Sequence, residues 1–369
     1  MRLIYFSPIK WKSFAQRSHE FVRWFHNKFE GEVLWIDPYP TRLPALKDFN
    51  RLNMAEVDSS VENPGWIQVY TPRALPFEPL MMGTWINYFL FWRKLDGIVG
   101  KFILETPCFL CIGKPSALAI KILAGNTFSG TYYDAMDHFA AFYKGLSYRA
   151  MASKDRNVAK HVDTVIASSS FLFQHFKNLG CDVRLVRNAC SSARLPHRKT
   201  PLQNESSTIG YVGTIGDWFD WEFVTEVANT ITDANVEIIG PLYCKPANSL
   251  PANVKILPPM CHSDALRRMT SFKAGLIPFK SSLLTSSVDP IKYYEYRALG
   301  VPVISTVFGE MAKRKSEHGV FLAENLCDIG SLVEQAIAYT PKDIEVETFR
   351  AENDWKVRFN NADIFEQCT

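Results

Sequence analysis

Along the chain, short apolar runs alternate with longer stretches in which apolar positions return every three or four residues. The runs Leu3–Phe6, Glu32–Ile36, Ile67–Tyr70, Phe109–Ile112, Gly130–Tyr133, Thr164–Ala167 and Asp182–Val186 are short and rich in Val, Ile and aromatic residues. That pattern predicts buried strands. Between them, Phe14–Lys28, Ser116–Ala124 and Ser170–Leu179 carry helical spacing. A second series repeats the scheme. Strands are predicted at Ile209–Val212, Val236–Ile239, Val254–Leu257, Ala274–Ile277 and Val303–Ser305, with helices at Trp221–Thr230, Ser263–Met269 and Pro290–Leu299. Strands alternating with helices imply parallel sheets covered on both faces, hence an α/β fold class with two doubly wound, Rossmann-like domains. The polar stretch Ser191–Ser207, rich in Ser, Pro and basic residues, reads as the linker between a domain over 1–195 and another over 205–348.

Composition narrows the class. A chain of 369 residues, 47% hydrophobic and 21% charged, is long enough for two cores and excludes a disordered, collagen-like or disulfide-stapled protein. Its start, Met1 to Pro8, reads as a first strand and not as a signal peptide. The longest apolar stretch, Met81–Trp92, is too short to span a bilayer, which takes roughly 20 residues. Cys108 and Cys111 form a lone C-x-x-C with no second ligand pair, so reduced thiols and a cytosolic setting are expected. Charge is uneven: residues 1–200 hold 26 basic against 16 acidic side chains, and the remainder 15 against 22. The basic half suits an anionic partner such as a membrane or phosphorylated lipid; the basic residues are dispersed and no nucleic-acid motif appears, so no nucleic acid is expected.

In such folds ligands bind beyond the carboxyl ends of the strands, and with two domains those ends can face each other across a cleft. After the first strand of the second series comes Gly210-Tyr211-Val212-Gly213-Thr214-Ile215-Gly216-Asp217, whose glycines would let backbone N–H groups approach a phosphate. Further on, Thr285-Ser286-Ser287-Val288-Asp289-Pro290 precedes a helix that Asp289 is placed to cap. Lys292 and Glu295 share one face of that helix. One could neutralise a phosphate while the other accepts two sugar hydroxyls; the same pair could equally be a surface ion pair.

The stretch Asp289-Pro290-Ile291-Lys292-x-x-Glu295-Tyr296-x-Ala298-x-Gly300-Val301-Pro302-Val303-Ile304 resembles the donor motif of GT-B glycosyltransferases, in particular the branch acting in teichuronic-acid and other bacterial surface-polysaccharide synthesis. Ile209 to Trp221, Ile277-Pro278-Phe279-Lys280, Arg187-Asn188-Ala189, Tyr133 to Phe139 and Gln16-Arg17 fit it in the right order. The resemblance implies a GT-B fold, with the last helix, about 350–369, packing back on the first domain. It implies a nucleotide-sugar donor, UDP in preference to GDP, held by Gly213, Thr214, Gly216, Lys280, Ser286, Ser287, Lys292, Tyr293 and Glu295, the last gripping the ribose. The acceptor, a surface-polysaccharide or lipid-linked glycan, would meet the first domain around Lys10, Trp11, Gln16 and Arg17. There Asp134, then Asp137, then His138 are the candidate bases for deprotonating an attacking hydroxyl. A retaining reaction would need none of the three and would rest on stabilising the departing diphosphate. No metal or other cofactor is implied. Two departures stand out. Ser287 occupies the position eight before Glu295, where the commoner pattern has a second glutamate, and Thr214-Ile215 replaces the usual basic pair after the glycine loop. A nucleotide-sugar epimerase of the same fold, or a degenerate partner protein, are the competing readings. Leu80–Trp92, aromatic and followed by Arg93-Lys94, suits either a membrane interface on the inner face of the cell membrane or a buried helix.

Overall fold

A computed structural model of the chain describes residues 1–13, 16–43, 63–80, 82–104, 106–196, 208–231 and 234–365. Most of the expected linker (197–207), Met81, the first residues of the helix expected from Phe14, and the end of the expected last helix (366–369) lie outside the described residues.

Two compact units form, one from residues 1–186 together with the chain from Ala362 onward, the other from Arg187 to Asn361. In the first, seven parallel strands, β1 (Arg2–Phe6), β2 (Glu32–Ile36), β3 (Ile67–Tyr70), β4 (Cys108–Ile112), β5 (Gly130–Ala135), β6 (Thr164–Ala167) and β7 (Val183–Leu185), assemble in the order β3-β2-β1-β4-β5-β6-β7. β1 is an interior strand, with Ile4 level with Leu34 on one side and Leu110 on the other. Every residue of β4 is buried, as a strand covered by helices on both faces requires.

The second unit repeats the plan with β8 (Thr208–Val212), β9 (Asn235–Ile239), β10 (Val254–Leu257), β11 (Phe272–Ile277), β12 (Val303–Thr306) and β13 (Val320–Ala323), in the order β10-β9-β8-β11-β12-β13. In each sheet the strand order reverses beside the unit's first strand, between β1 and β4 and between β8 and β11. The carboxyl ends of the strands at such reversal points are the general ligand position in these sheets.

Several expectations need correcting. Arg187-Asn188-Ala189 does not close the first unit; it opens the second, where the Asn188 N–H donates to Asp289 Oδ2 at 2.7 Å. The C-terminal segment is divided. Helix Trp355–Asn360 stays with the second unit, its Trp355 N–H bonded to the Cys190 carbonyl at 3.1 Å. Only the residues after it return to the first unit, where Phe365 is buried against Phe109 and Tyr132, each at 4.7 Å between ring centroids. The edge strand β13 and the helices Gly145–His161, Ile329–Ala338 and Asp343–Glu352 escaped the pattern reading. Leu80–Trp92 is helical from Gly83, but Leu80, Met82, Trp85, Phe89 and Leu90 are exposed, Trp85 by 59% and Leu90 by 61%.

Candidate active site

At the reversal point of the second unit, the loop after β8 and the loop after β11 are tied together. The Lys280 N–H donates to the Trp218 carbonyl at 2.8 Å, and the Asp220 N–H to the Pro278 carbonyl at 2.8 Å. Glycine is required here for close approach. A Cβ on Gly240, after β9, would sit 2.1 Å from the Gly213 carbonyl oxygen. Gly213 and Thr214 are half-buried, Gly216 lies under the Trp218 ring, and Lys280 is exposed at the rim. Asp220 caps helix Trp221–Thr230 and so is spent on backbone N–H groups of Glu222 and Phe223.

Glu295 is the buried charge of this region. It sits on helix Ile291–Ala298, with Oε2 accepting from Lys292 Nζ at 2.6 Å and Oε1 from His262 Nε2 at 2.9 Å. Burial alone would raise its pKa. The Lys292 charge and the His262 hydrogen bond outweigh that and hold it down at about 2. The carboxylate side chain is only 6% exposed, yet its partners reach solvent, His262 at 25% and Lys292 at 22%. Each carboxylate oxygen can accept more than one hydrogen bond, so a fixed, ionised carboxylate held this way can still take two vicinal hydroxyls. His262 was not foreseen. It opens the helix after β10, and nothing in its local spacing ties it to a glutamate 33 residues later.

Other expected donor-side residues are engaged elsewhere. Ser286 and Ser287 form a 3-10 turn in which their hydroxyls donate to the Leu283 and Leu284 carbonyls, both at 2.8 Å. Asp289 does not cap the helix. Its carboxylate is buried and accepts from Arg314 at 2.6 Å, from Tyr294 at 2.9 Å and from the Asn188 N–H. Tyr293 is buried too, with its hydroxyl on Glu317 and its ring 3.7 Å from the Arg314 guanidinium. Of these partners Arg314 is buried, while Glu317 is 45% exposed.

In the first unit, Asp134, the last residue but one of β5, is fully buried. Oδ1 accepts from Arg17 Nε at 2.8 Å and Oδ2 from the Tyr5 hydroxyl at 2.9 Å, while Arg17 Nη1 also holds the Val186 carbonyl at 2.7 Å. Neither partner reaches solvent, so Asp134 is a clamp joining β1, β5 and the helix Arg17–Phe29, a setting that does not suit the base expected there. Asp137 is half-buried, and burial raises its pKa to about 7, the Arg17 charge offsetting part of the rise. Such a carboxyl is poised for proton transfer near neutrality. His138 beside it is held below its ordinary value by burial and lies 5.7 Å from the His175 ring.

Of the expected acceptor-side residues, Arg17 belongs to that clamp, and Trp11 is buried against His19, Trp35 and Trp66. Its apolar neighbours explain the correction: a Trp after a strand is drawn into the core wherever aromatic faces are available. Gln16 precedes the helix, with its N–H on His19 Nδ1 at 3.3 Å, and Lys10 is exposed.

No family model matches the chain. It is 23% identical over 209 residues to a Bacillus subtilis protein provisionally named a teichuronic acid biosynthesis glycosyltransferase, TuaH; the match spans 50% of this chain and 52%, about half, of that relative. Among solved structures, sucrose-phosphate synthase from Thermosynechococcus elongatus superposes with a TM-score of 0.71 at 11% identity, over 99% of this chain and 98% of that one. The Anabaena protein HepE, in complex with UDP and glucose, gives 0.64 at 11% identity over the whole of both chains. The apo lipopolysaccharide outer core galactosyltransferase WaaB gives 0.62 at 13%, again over both whole chains. The two parallel Rossmann-like sheets with their flanking helices are those of these enzymes: the chain has the GT-B glycosyltransferase fold.

Proposed function

We propose that this protein is a glycosyltransferase that binds a nucleotide-diphosphate sugar, a UDP-sugar in preference to a GDP-sugar, on its second unit. The acceptor is a surface-polysaccharide or lipid-linked glycan. The observation that carries the reading is Glu295, ionised and oriented by Lys292 and His262 while its partners stay open to solvent. Such a carboxylate suits the two ribose hydroxyls of a nucleotide. The glycine loop and Lys280 suit its diphosphate, and neither role needs a metal. The name of the Bacillus relative and the UDP bound by HepE support the donor and acceptor classes.

The exposed Leu80, Met82, Trp85, Phe89 and Leu90, next to exposed Arg93 and Lys94, support contact with an anionic membrane surface that presents a lipid-linked acceptor. Among the described residues no helix is long and apolar enough to cross a membrane.

A thermal-shift screen against UDP, GDP and CMP, with and without magnesium, tests the donor reading. UDP is expected to raise the melting temperature without metal, with about 2.7 kcal/mol of stabilisation at a hundredfold excess over its Kd. No shift with any nucleotide would favour a degenerate partner protein. Asp137→Asn then separates the reaction types. A loss of transfer by about 10²–10⁴ with UDP binding intact marks base-assisted inversion, and unchanged turnover marks a retaining route.

A further inference from the structure

At the amino ends of β1, β2 and β3, the opposite end of the first sheet from the candidate bases, lies a recess of about 430 Å³. Small-molecule sites run roughly 300–1,000 Å³. Arg2 and Glu32, which begin β1 and β2, line it. The turn Pro64–Ile67, closed by the Ile67 N–H on the Pro64 carbonyl at 3.1 Å, forms one wall and brings Trp66 and Gln68 to it. Helix Arg93–Ile103 forms the other: Ile98, Lys101 and Phe102 stand three and four apart and so share one face.

The lining combines aromatic rings with polar groups of both kinds. Trp66 is held by stacking on His26 at 4.5 Å and by Trp11 at 6.2 Å, yet it stays only half-buried, and its indole N–H has no partner among the described residues. Phe102, half-buried as well, lies under the Arg2 guanidinium at 5.1 Å. Arg2 itself is committed, with Nε on Glu32 Oε2 at 2.9 Å and Nη1 on the Phe102 carbonyl at 3.0 Å. What remains for a ligand is the Gln68 amide, the Lys101 ammonium and the second oxygen of Glu32. Gln68 and Lys101 are exposed and make no hydrogen bond or ion pair among the described residues. An anionic ligand would meet the Glu32 carboxylate, and a cationic one Lys101 and Arg2. The lining suits a neutral molecule that both donates and accepts, with an apolar face for Trp66 and Phe102. Sugar rings have that form, with hydroxyls around the rim and C–H groups on the face.

We propose that this recess is a second carbohydrate subsite, which holds an uncharged stretch of glycan away from the carboxyl end of the sheet. Trp66 and Phe102 take the sugar faces, and Gln68, Lys101 and Glu32 take the hydroxyls. β1 rises about 3.3 Å per residue, so its two ends stand about 13 Å apart. A glycan must run several sugars to occupy both ends, and the subsite therefore favours extended acceptors over short ones. That the bound glycan is the acceptor rests on the glycosyltransferase reading; carbohydrate binding in the recess does not.

Calorimetry on the full chain with glucose, maltotetraose, cellotetraose and chitotetraose tests it. At least one tetrasaccharide is expected to bind about tenfold more tightly than glucose, or better. Gln68→Ala combined with Lys101→Ala removes two exposed side chains that have no partner among the described residues, so the fold should survive. That double variant should bind the same tetrasaccharide at least about tenfold more weakly, the loss of one neutral and one charged hydrogen bond. Trp66→Phe keeps an aromatic ring, loses the indole N–H and should cost a smaller factor. No tetrasaccharide bound overturns the proposal. Equal binding by the double variant and the parent also overturns it, by placing the glycan elsewhere on the chain. UDP titrated into the same proteins separates the two readings. UDP bound without any tetrasaccharide leaves the donor site standing and refutes the subsite; a tetrasaccharide bound by the parent and lost in the double variant, without UDP binding, does the reverse.

Discussion

Asp134 and Glu295 are both buried carboxylates at the functional ends of matching sheets, each gripped by two donors, and they differ in what surrounds the donors. Around Asp134 the partners, Arg17 and Tyr5, are themselves sealed in the core. Around Glu295 the partners, Lys292 and His262, are about a quarter exposed. A closed ion pair fixes the chain; an ion pair with open partners fixes a charge for use by something else. The first unit therefore spends Asp134 on holding β1, β5 and the helix Arg17–Phe29 together, while Asp137, three residues along the chain, is half-buried with its pKa raised to about 7. The second unit keeps its carboxylate oriented and ionised beneath two partners that reach solvent.

The comparison breaks most readily at Asp134. Asp134→Ala leaves the Arg17 guanidinium in the core without its counter-charge, and removing one member of a buried pair typically costs about 3–5 kcal/mol. Urea unfolding followed by tryptophan fluorescence should show a loss of that size, with UDP binding by the still-folded fraction unchanged. A loss below about 1 kcal/mol would mean the pair is not a clamp and would return Asp134 to the list of candidate bases.

Next in size is Glu295. Glu295→Ala removes the charged acceptor of a bound diol, a contact worth about 1.5–3 kcal/mol, so UDP affinity by calorimetry should fall about ten- to a hundredfold. Glu295→Gln keeps the shape and should fall between that variant and the parent. Equal affinity in all three would erase the distinction between the two carboxylates.

Much of this was legible from the chain because parallel strands covered on both faces are written as short, continuous apolar runs. All twelve predicted strands lie on strands of the two sheets, and Glu295 and Lys292 stand three apart on one helix face, where spacing alone joins them. What failed to show has a common cause. β13 is an edge strand with only its ends buried, so its apolar signal is weak. The partnerships that sort clamps from sites are long-range: Arg17 with Asp134 across 117 residues, His262 with Glu295 across 33. Asp289 before Pro290 has the local form of a helix cap, but Arg314, Tyr294 and Asn188 compete for its carboxylate and win. Trp11 with its basic neighbours reads as a surface loop until Trp35, His19 and Trp66 supply aromatic faces to bury it.

The smallest effect sharpens the contrast by its sign. Asp137 has a folded-state pKa of about 7, raised by burial, against about 3.9 in an unfolded chain. Between those values the folded state binds more protons than the unfolded one, so this group makes stability fall as pH rises from about 4 to 7. Glu295 does the reverse: held at about 2, it contributes stability that is present above about 4.3 and lost as pH falls toward 2. Asp137→Asn should therefore melt higher than the parent at pH 8, by about 1 kcal/mol of stabilisation once solvent screening of a half-buried group is allowed for, and the gap should close as pH is lowered to 4. No substitution at Glu295 should stabilise at pH 8. A parent and an Asp137→Asn variant with the same melting temperature at pH 8 and at pH 4 would show that the Asp137 carboxyl titrates as in water, and Asp137 would then lose its claim to proton transfer at neutral pH.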